Sequence, residues 1–312
     1  MNINKKITFI LNIGAYSSNS GWARAMHRLA LMLHKRGQNV YTLGVGPKDF
    51  PYKVLTLKDG SPLPDFYWNH KLNQALPQYV HDNVSEEIDL NYAVEISDNG
   101  VWATNAKYKI IWFVSSRNDE MADTDFVFRF DNHLTNEKRS FDGNLFIPDM
   151  NAHFWTKGYY KRTFNTYYIK KAQHRYSMDK IQKMLQEAVG KFGTNDKLIN
   201  LDKTGGYLPG DPDHDYNKEV LQNTKYFWTL DTNTFFSLAA AMCGAISIVI
   251  PDETPKEKWF LSRMFKYGIS YGYDDIDHAI NTQALIPNHL YNLEKESQQE
   301  IDKFVEFCYQ KF

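Results

Sequence analysis

The chain has 312 residues, room for two domains of ordinary size, and its 43% hydrophobic content is enough for a sizeable core. With 36 basic and 37 acidic side chains the formal net charge is −1, so bulk charge gives no signal for a nucleic-acid or membrane-surface partner. No apolar run is long enough to span a bilayer and no secretory signal is visible. Cys243 and Cys308 show no disulfide or metal-ligand spacing; we read them as free thiols in a reducing compartment, and expect a cytoplasmic location.

Ile7 to Ile13 reads as a strand. A Gly/Ser-rich loop, Gly14 to Trp22, leads into a helix on which Ala25, Met26, Leu29, Ala30 and Leu33 recur at helical spacing until Gly37. Asn39 to Gly44 is the next strand, completing a βαβ unit. Gly14 and Gly21 do not match the G-x-G-x-x-G fingerprint and there is no Walker A motif, so no nicotinamide or flavin cofactor is expected. Ser20, Gly21 and Arg24 sit where this loop meets the helix, with Ser20 as a natural N-cap.

Residues 47 to 90 are less regular and proline-punctuated, with a hairpin-like piece from Tyr52 to Leu57. Strands follow at Asn91 to Ser97, Lys109 to Val114, Phe126 to Phe130 and Asn144 to Pro148. Asp98 and Arg117 stand just past two strand ends, where open parallel sheets bind ligands. Met150 to Asn165 is aromatic and basic without periodicity, and marks a domain boundary. Both an interdomain linker and a nucleic-acid stacking surface explain this composition.

Thr166 to Lys170 is a strand opening the second domain, and Lys171 to Arg175 is a basic turn. Asp179 to Phe192 is an amphipathic helix and Lys197 to Leu201 a strand. The long polar loop from Asp202 to Asp215 offers Tyr207 and Leu208 as walls for a flat ligand. Asp211, Asp213 and Asp215 alternate like a calcium loop but lack its Gly and Glu, so no metal site is expected. Helices are read at Tyr216 to Thr224, from Thr254, at Ile276 to Thr282 and from Leu290 to Phe312, with a loop at Tyr271 to Asp275.

The most informative stretch is Tyr226 to Pro251. An aromatic strand, Tyr226 to Leu230, runs into a polar turn, Asp231-Thr232-Asn233-Thr234. A small-sided helix follows from Phe235 to Cys243, stopped by Gly244, and then an unbroken apolar strand, Ile246 to Ile250. Such a strand suits a parallel sheet covered on both faces. The turn places a helix N-terminus, with its unpaired N–H groups, at the carboxyl edge of that sheet, a position suited to anions.

This segment resembles the donor-binding segment of GT-B glycosyltransferases, nucleotide-sugar transferases built from two Rossmann-like domains. There a Glu-x7-Glu pattern runs into Ala-Met-Ala-Cys-Gly-x-Pro-Val and a buried strand. Here Asp231 takes the first acidic position, Ala239 the second, and Cys243-Gly244 fall on the Cys-Gly.

The resemblance implies an α/β fold of two Rossmann-like domains facing across a cleft. Residues 1–155 would form the acceptor domain, 156–290 the donor domain, and 291–312 a terminal helix crossing back to the first. It implies that Lys170, Lys171 and Arg175, with the helix start at Thr232, Asn233, Thr234 and Phe235, bind the donor diphosphate. Asp231 and Ser237 would contact the donor sugar or ribose, and Tyr207 and Leu208 the nucleobase. Ser20, Gly21 and Arg24 would line the acceptor side, with Asp98 and Arg117 as catalytic candidates. The implied reaction is metal-independent transfer from a nucleotide-diphosphate sugar, a co-substrate rather than a cofactor, to a glycan, a lipid-linked sugar or another acceptor. A phage-type DNA-modifying transferase, a sugar-nucleotide epimerase or hydrolase, and a non-catalytic nucleotide-sugar binder are the alternatives.

Overall fold

A computed structural model describes residues 6–14, 20–44, 46, 50–56, 58, 88–98, 100, 102–114, 124–136, 139–148, 153–158, 161–169, 172–193, 197–201, 212–256, 259 and 261–312. The chain divides into two units, Met1–Asp149 with Glu294–Phe312, and Met150–Leu293.

The first unit holds β1 (Thr8–Leu11), α1 (Gly21–Lys35), β2 (Asn39–Thr42), β3 (Lys53–Val54), β4 (Ala93–Ser97), β5 (Tyr108–Phe113), β6 (Phe126–Arg129) and β7 (Gly143–Asn144). The strands form one seven-stranded sheet in the order β3-β2-β1-β4-β5-β6-β7, parallel throughout. Within the piece read as hairpin-like from Tyr52 to Leu57, Lys53 and Val54 form the parallel edge strand β3, with Lys53 opposite Tyr41, and Leu57 lies outside the described residues. Strand alternation sorts the side chains onto two faces. Phe9, Leu11, Val94 and Ile96 join Met26, Leu29 and Leu33 of α1 in one cluster, while Ile10 and Ala93 pack on the other side with Leu55 and Ala106.

The second unit holds β8 (Phe164–Tyr168), α2 (Met178–Lys191), β9 (Lys197–Asn200), α3 (Pro212–Gln222), β10 (Thr224–Thr229), α4 (Phe235–Met242), β11 (Ile246–Val249), β12 (Ile269–Tyr271) and α5 (Ile276–Thr282). Its five strands, in the order β12-β11-β10-β8-β9, are also all parallel. One face packs Trp228, Leu230, Ile248 and Ile250 against Ile181, Leu185 and Ala188 of α2. The small residues of α4 suit close packing: Ala239, Ala240 and Ala241 are buried, and Phe236 meets Tyr168 with ring centroids 4.8 Å apart. Gly244 closes α4 at φ +88, and Arg162 donates to the Cys243 carbonyl at 3.0 Å, serving the helix C-terminus with a cation.

Two sequence expectations change. The helix expected from Tyr216 starts at Pro212, so Asp213 and Asp215 are helical rather than part of the long loop; Asp211 lies outside the described residues. Between β11 and β12 the described residues carry a 3-10 turn, Arg263–Phe265, and no α-helix. The described part of the aromatic, basic stretch is built into the second unit: Trp155 packs edge-on against Phe235 and Lys218 lies over Phe154.

The last helix, α6 (Ile286–Lys311), belongs to the first unit from Glu294 onward. Ile301, Phe304, Val305 and Cys308 enter the cluster around β1. Glu300 accepts the Phe146 N–H at 2.7 Å, and Arg36 holds Asp302 at 2.6 Å. No helix among the described residues is long and apolar enough to cross a membrane.

Candidate functional sites at the two switch points

Open parallel sheets bind ligands where the strand order reverses, at the carboxyl ends of the strands. In the second unit the chain goes from β8 to β9 on one side and returns to β10 on the other, so its switch point lies between the ends of β8 and β10. Asp231 follows β10 and is 3% exposed; its N–H donates to Thr229 Oγ1 at 3.0 Å. The turn is fastened from the β11–β12 connection. Asn233 Oδ1 accepts the Ser262 N–H at 3.0 Å, and at the end of β12 the Tyr271 hydroxyl donates to the Phe265 carbonyl at 3.1 Å and lies 3.4 Å from the Thr232 carbonyl.

The N-cap of α4 is Thr234, and its side chain makes no capping hydrogen bond. No acidic residue occupies the first turn of that helix. Neither a Thr234 side-chain cap nor an acidic side chain of its own first turn thus serves the N-terminus of α4. Ser237 is fully buried, and among the described residues its hydroxyl has no hydrogen-bond partner.

Arg175 comes from the turn after β8 and reaches across this switch point. Its Nη2 donates to the Leu230 carbonyl at 2.5 Å and stands 3.9 Å from Asp231, while Nη1 donates to Asp252 at 2.9 Å. Cys243 is buried, and burial pushes its thiol up to about 12, so its part here is packing. Lys170, Lys171, Tyr207 and Leu208 lie outside the described residues.

In the first unit the order reverses between β1 and β4. Ser20 is the N-cap of α1 and accepts the Ala23 N–H at 3.2 Å. Gly21 opens the helix, and a Cβ there would come 3.8 Å from Arg24 Nη2, so the Arg24 guanidinium folds back toward the helix start. Arg24 is buried, as is Asp98 at the end of β4. Arg117 lies outside the described residues.

Two buried titratable groups behind this switch point escaped the sequence reading. Glu95 lies in the middle of β4, opposite Ile10 and Lys109 of its neighbours, and is wholly buried. Its carboxylate accepts from Asn12 Nδ2 at 3.3 Å, the Ala103 N–H at 2.6 Å, and the Thr104 N–H and hydroxyl at 2.9 and 2.6 Å. Burial pushes this carboxyl up to about 7, against the downward pull of the Thr104 hydroxyl and the two backbone donors. Glu95 thus ties the end of β1 to the β4–β5 connection that begins at Asp98. A lone acid inside an apolar strand was the available signal.

His27, on α1, is also fully buried. Its Nε2 lies 3.1 Å from the Gly14 carbonyl and its Nδ1 2.5 Å from the Tyr52 hydroxyl. A carbonyl only accepts, so Nε2 carries the proton and Nδ1 accepts from tyrosine. Burial lowers the His27 pKa to about 4, outweighing the Gly14 bond. The folded value lies below the ordinary 6.5, so the stability His27 contributes is present above pH 6.5 and is lost as pH falls through about 4. Urea unfolding across this range is expected to show that loss in the wild type, on the order of 3 kcal/mol, and to lack it in His27→Gln.

No protein-family model matches the chain, and no curated protein matches it. Among solved structures, a glycosyltransferase from Rickettsia africae is similar over 99% of this chain and 100% of its own, at 10% identity and a TM-score of 0.53. The chain shares the fold of that glycosyltransferase. Sucrose-phosphate synthase from Thermosynechococcus elongatus is similar at 11% identity and a TM-score of 0.44, over 98% of this chain and 97% of its own. An alpha-glucosyltransferase solved with UDP and a 13-mer DNA is similar at 10% identity and a TM-score of 0.40, over 98% and 96%.

Proposed function

We propose that the protein is a GT-B glycosyltransferase that moves a sugar from a nucleotide-diphosphate donor to an acceptor hydroxyl. The observation that carries this reading is the carboxyl end of β10. There an uncapped helix N-terminus, the buried carboxylate of Asp231 and the guanidinium of Arg175 converge at the switch point of a parallel sheet. Backbone N–H groups and a forked cation suit a diphosphate, and a buried carboxylate suits sugar hydroxyls.

In this reading the diphosphate sits on the first turn of α4, at Thr232 to Phe235, with Arg175, Lys170 and Lys171 as its cations. Cleavage of the glycosidic bond leaves the bonding electron pair on the departing diphosphate oxygen. Fixed N–H dipoles and Arg175 stabilise that growing charge without a metal ion. Asp231, with Ser237 behind it, faces the donor sugar or ribose, and Tyr207 and Leu208 the base. The first unit takes the acceptor near Ser20, Gly21, Arg24 and Arg117, and Asp98 takes the acceptor proton if the reaction inverts. The nucleotide sugar is a co-substrate, and no further cofactor is used.

Arg175→Ala tests the donor assignment. Calorimetric titration is expected to show nucleoside-diphosphate affinity reduced roughly ten- to hundred-fold, the worth of one charge-assisted hydrogen-bond pair. Unchanged affinity would remove Arg175 from the donor site.

A further inference from the structure

Arg175 is held by a carboxylate that is itself firmly held. Asp252, three residues past Val249 at the end of β11, accepts the Tyr176 hydroxyl at 3.0 Å and the Thr254 N–H at 2.8 Å, besides Arg175 at 2.9 Å. The Asp252 side chain is 5% exposed and that of Arg175 41%. The acid is thus the fixed member of the pair and the guanidinium the member open to solvent. The strand order β8-β10-β11 means that this bond draws Arg175 from the end of β8 across the end of β10, over the switch point.

We propose that Asp252 is a latch on Arg175, and that an incoming phosphate must replace the Asp252 carboxylate on the guanidinium. This rests on the reading of the switch point as a nucleoside-diphosphate site, and it makes Asp252 an affinity-determining residue acting through Arg175. Carboxylate and phosphate oxygens are equivalent acceptors for the arginine fork, so the two compete for the same N–H groups. Removing the acid frees the guanidinium N–H groups for the ligand.

The test is calorimetric titration of UDP, GDP and ADP into the wild type, Asp252→Asn, Arg175→Ala and the double variant. The diphosphate that binds the wild type is expected to bind Asp252→Asn about tenfold more tightly. In the Arg175→Ala background the same change is expected to alter affinity less than about twofold. Equal or weaker binding by a folded Asp252→Asn overturns the latch. So does an equal gain in the Arg175→Ala background, which would mark a long-range charge effect. Asp252→Ser, which keeps an oxygen for the Thr254 amide, is the second variant if the first fails to fold. If none of the three diphosphates binds the wild type, dTDP and CMP are titrated in the same way, and if none of the five nucleotides binds, the donor reading falls and the latch falls with it.

Discussion

Replacing Glu95 by Ala is expected to lower the unfolding free energy by about 4 kcal/mol. The β4–β5 crossover runs only from Asp98 to Lys107, between strands ending at Ser97 and starting at Tyr108. Ala103, Thr104 and Ala106 of this connection are buried, so their polar groups need partners inside the protein. The Glu95 carboxylate supplies them for the Ala103 N–H and for both the N–H and the hydroxyl of Thr104. Truncation removes the shared acceptor and leaves those buried donors unpaired, each at a cost of about 1–3 kcal/mol.

Glu95 also sets a pH dependence opposite to that of His27. Its folded pKa, about 7, lies above the ordinary 4.5, so its contribution is full below pH 4.5 and is lost as pH rises through about 7. The two groups offset one another across the weakly acidic range. Glu95→Gln removes one partner of this balance, and its stability is expected to rise with pH between about 4 and 6.5 more steeply than that of the wild type. Urea unfolding at several pH values reads both effects.

Phe304→Ala is expected to cost about 3–5 kcal/mol in the same assay. Phe304 is 1% exposed on α6 and meets the rings of Phe9 and Phe128 at 6.0 and 4.8 Å. It joins the helix to β1 and β6, strands on either side of β4 and β5. Neighbouring rings cannot collapse into the void, because Phe307 is already set against Phe126 and Phe128, and Phe312 stacks on Tyr108 at 4.1 Å. Loss of transfer free energy and an unfilled cavity therefore add. Lys303, exposed on the same helix, serves as the control; its replacement by Ala is expected to change stability by less than about 0.5 kcal/mol.

Local pattern made most of the elements legible. The α1 stripe and the apolar strand at Ile246 are written in adjacent residues, and so is the strand–turn–helix order around Asp231. What was not legible depends on distant partners or short spans. The strand β12 has three residues, Ile269–Tyr271, too few for any period to show. The pairing of β3 with β2 is parallel because of where the chain returns, which Tyr52 to Leu57 cannot encode. Glu95 reads locally as a polar interruption, since Asn12 lies 83 residues away and the Thr104 partner only emerges when the crossover folds back. The pairing of Arg175 with Asp252 spans 77 residues and joins two loops that the sheet order alone brings together. The chemistry of the turn at Asp231 was legible, whereas the side chains that hold Arg175 over it were not.

The most direct measurement is a thermal-shift panel of UDP, GDP, ADP, CMP and dTDP with their common sugar conjugates. A ligand that binds only the folded state stabilises it by RT ln(1 + [L]/Kd) and so raises the melting temperature. The account predicts a clear rise with one nucleoside diphosphate and its sugar conjugate, and a smaller rise for the same ligands with Arg175→Ala. No rise with any of them would contradict a nucleotide-sugar donor site at the end of β10.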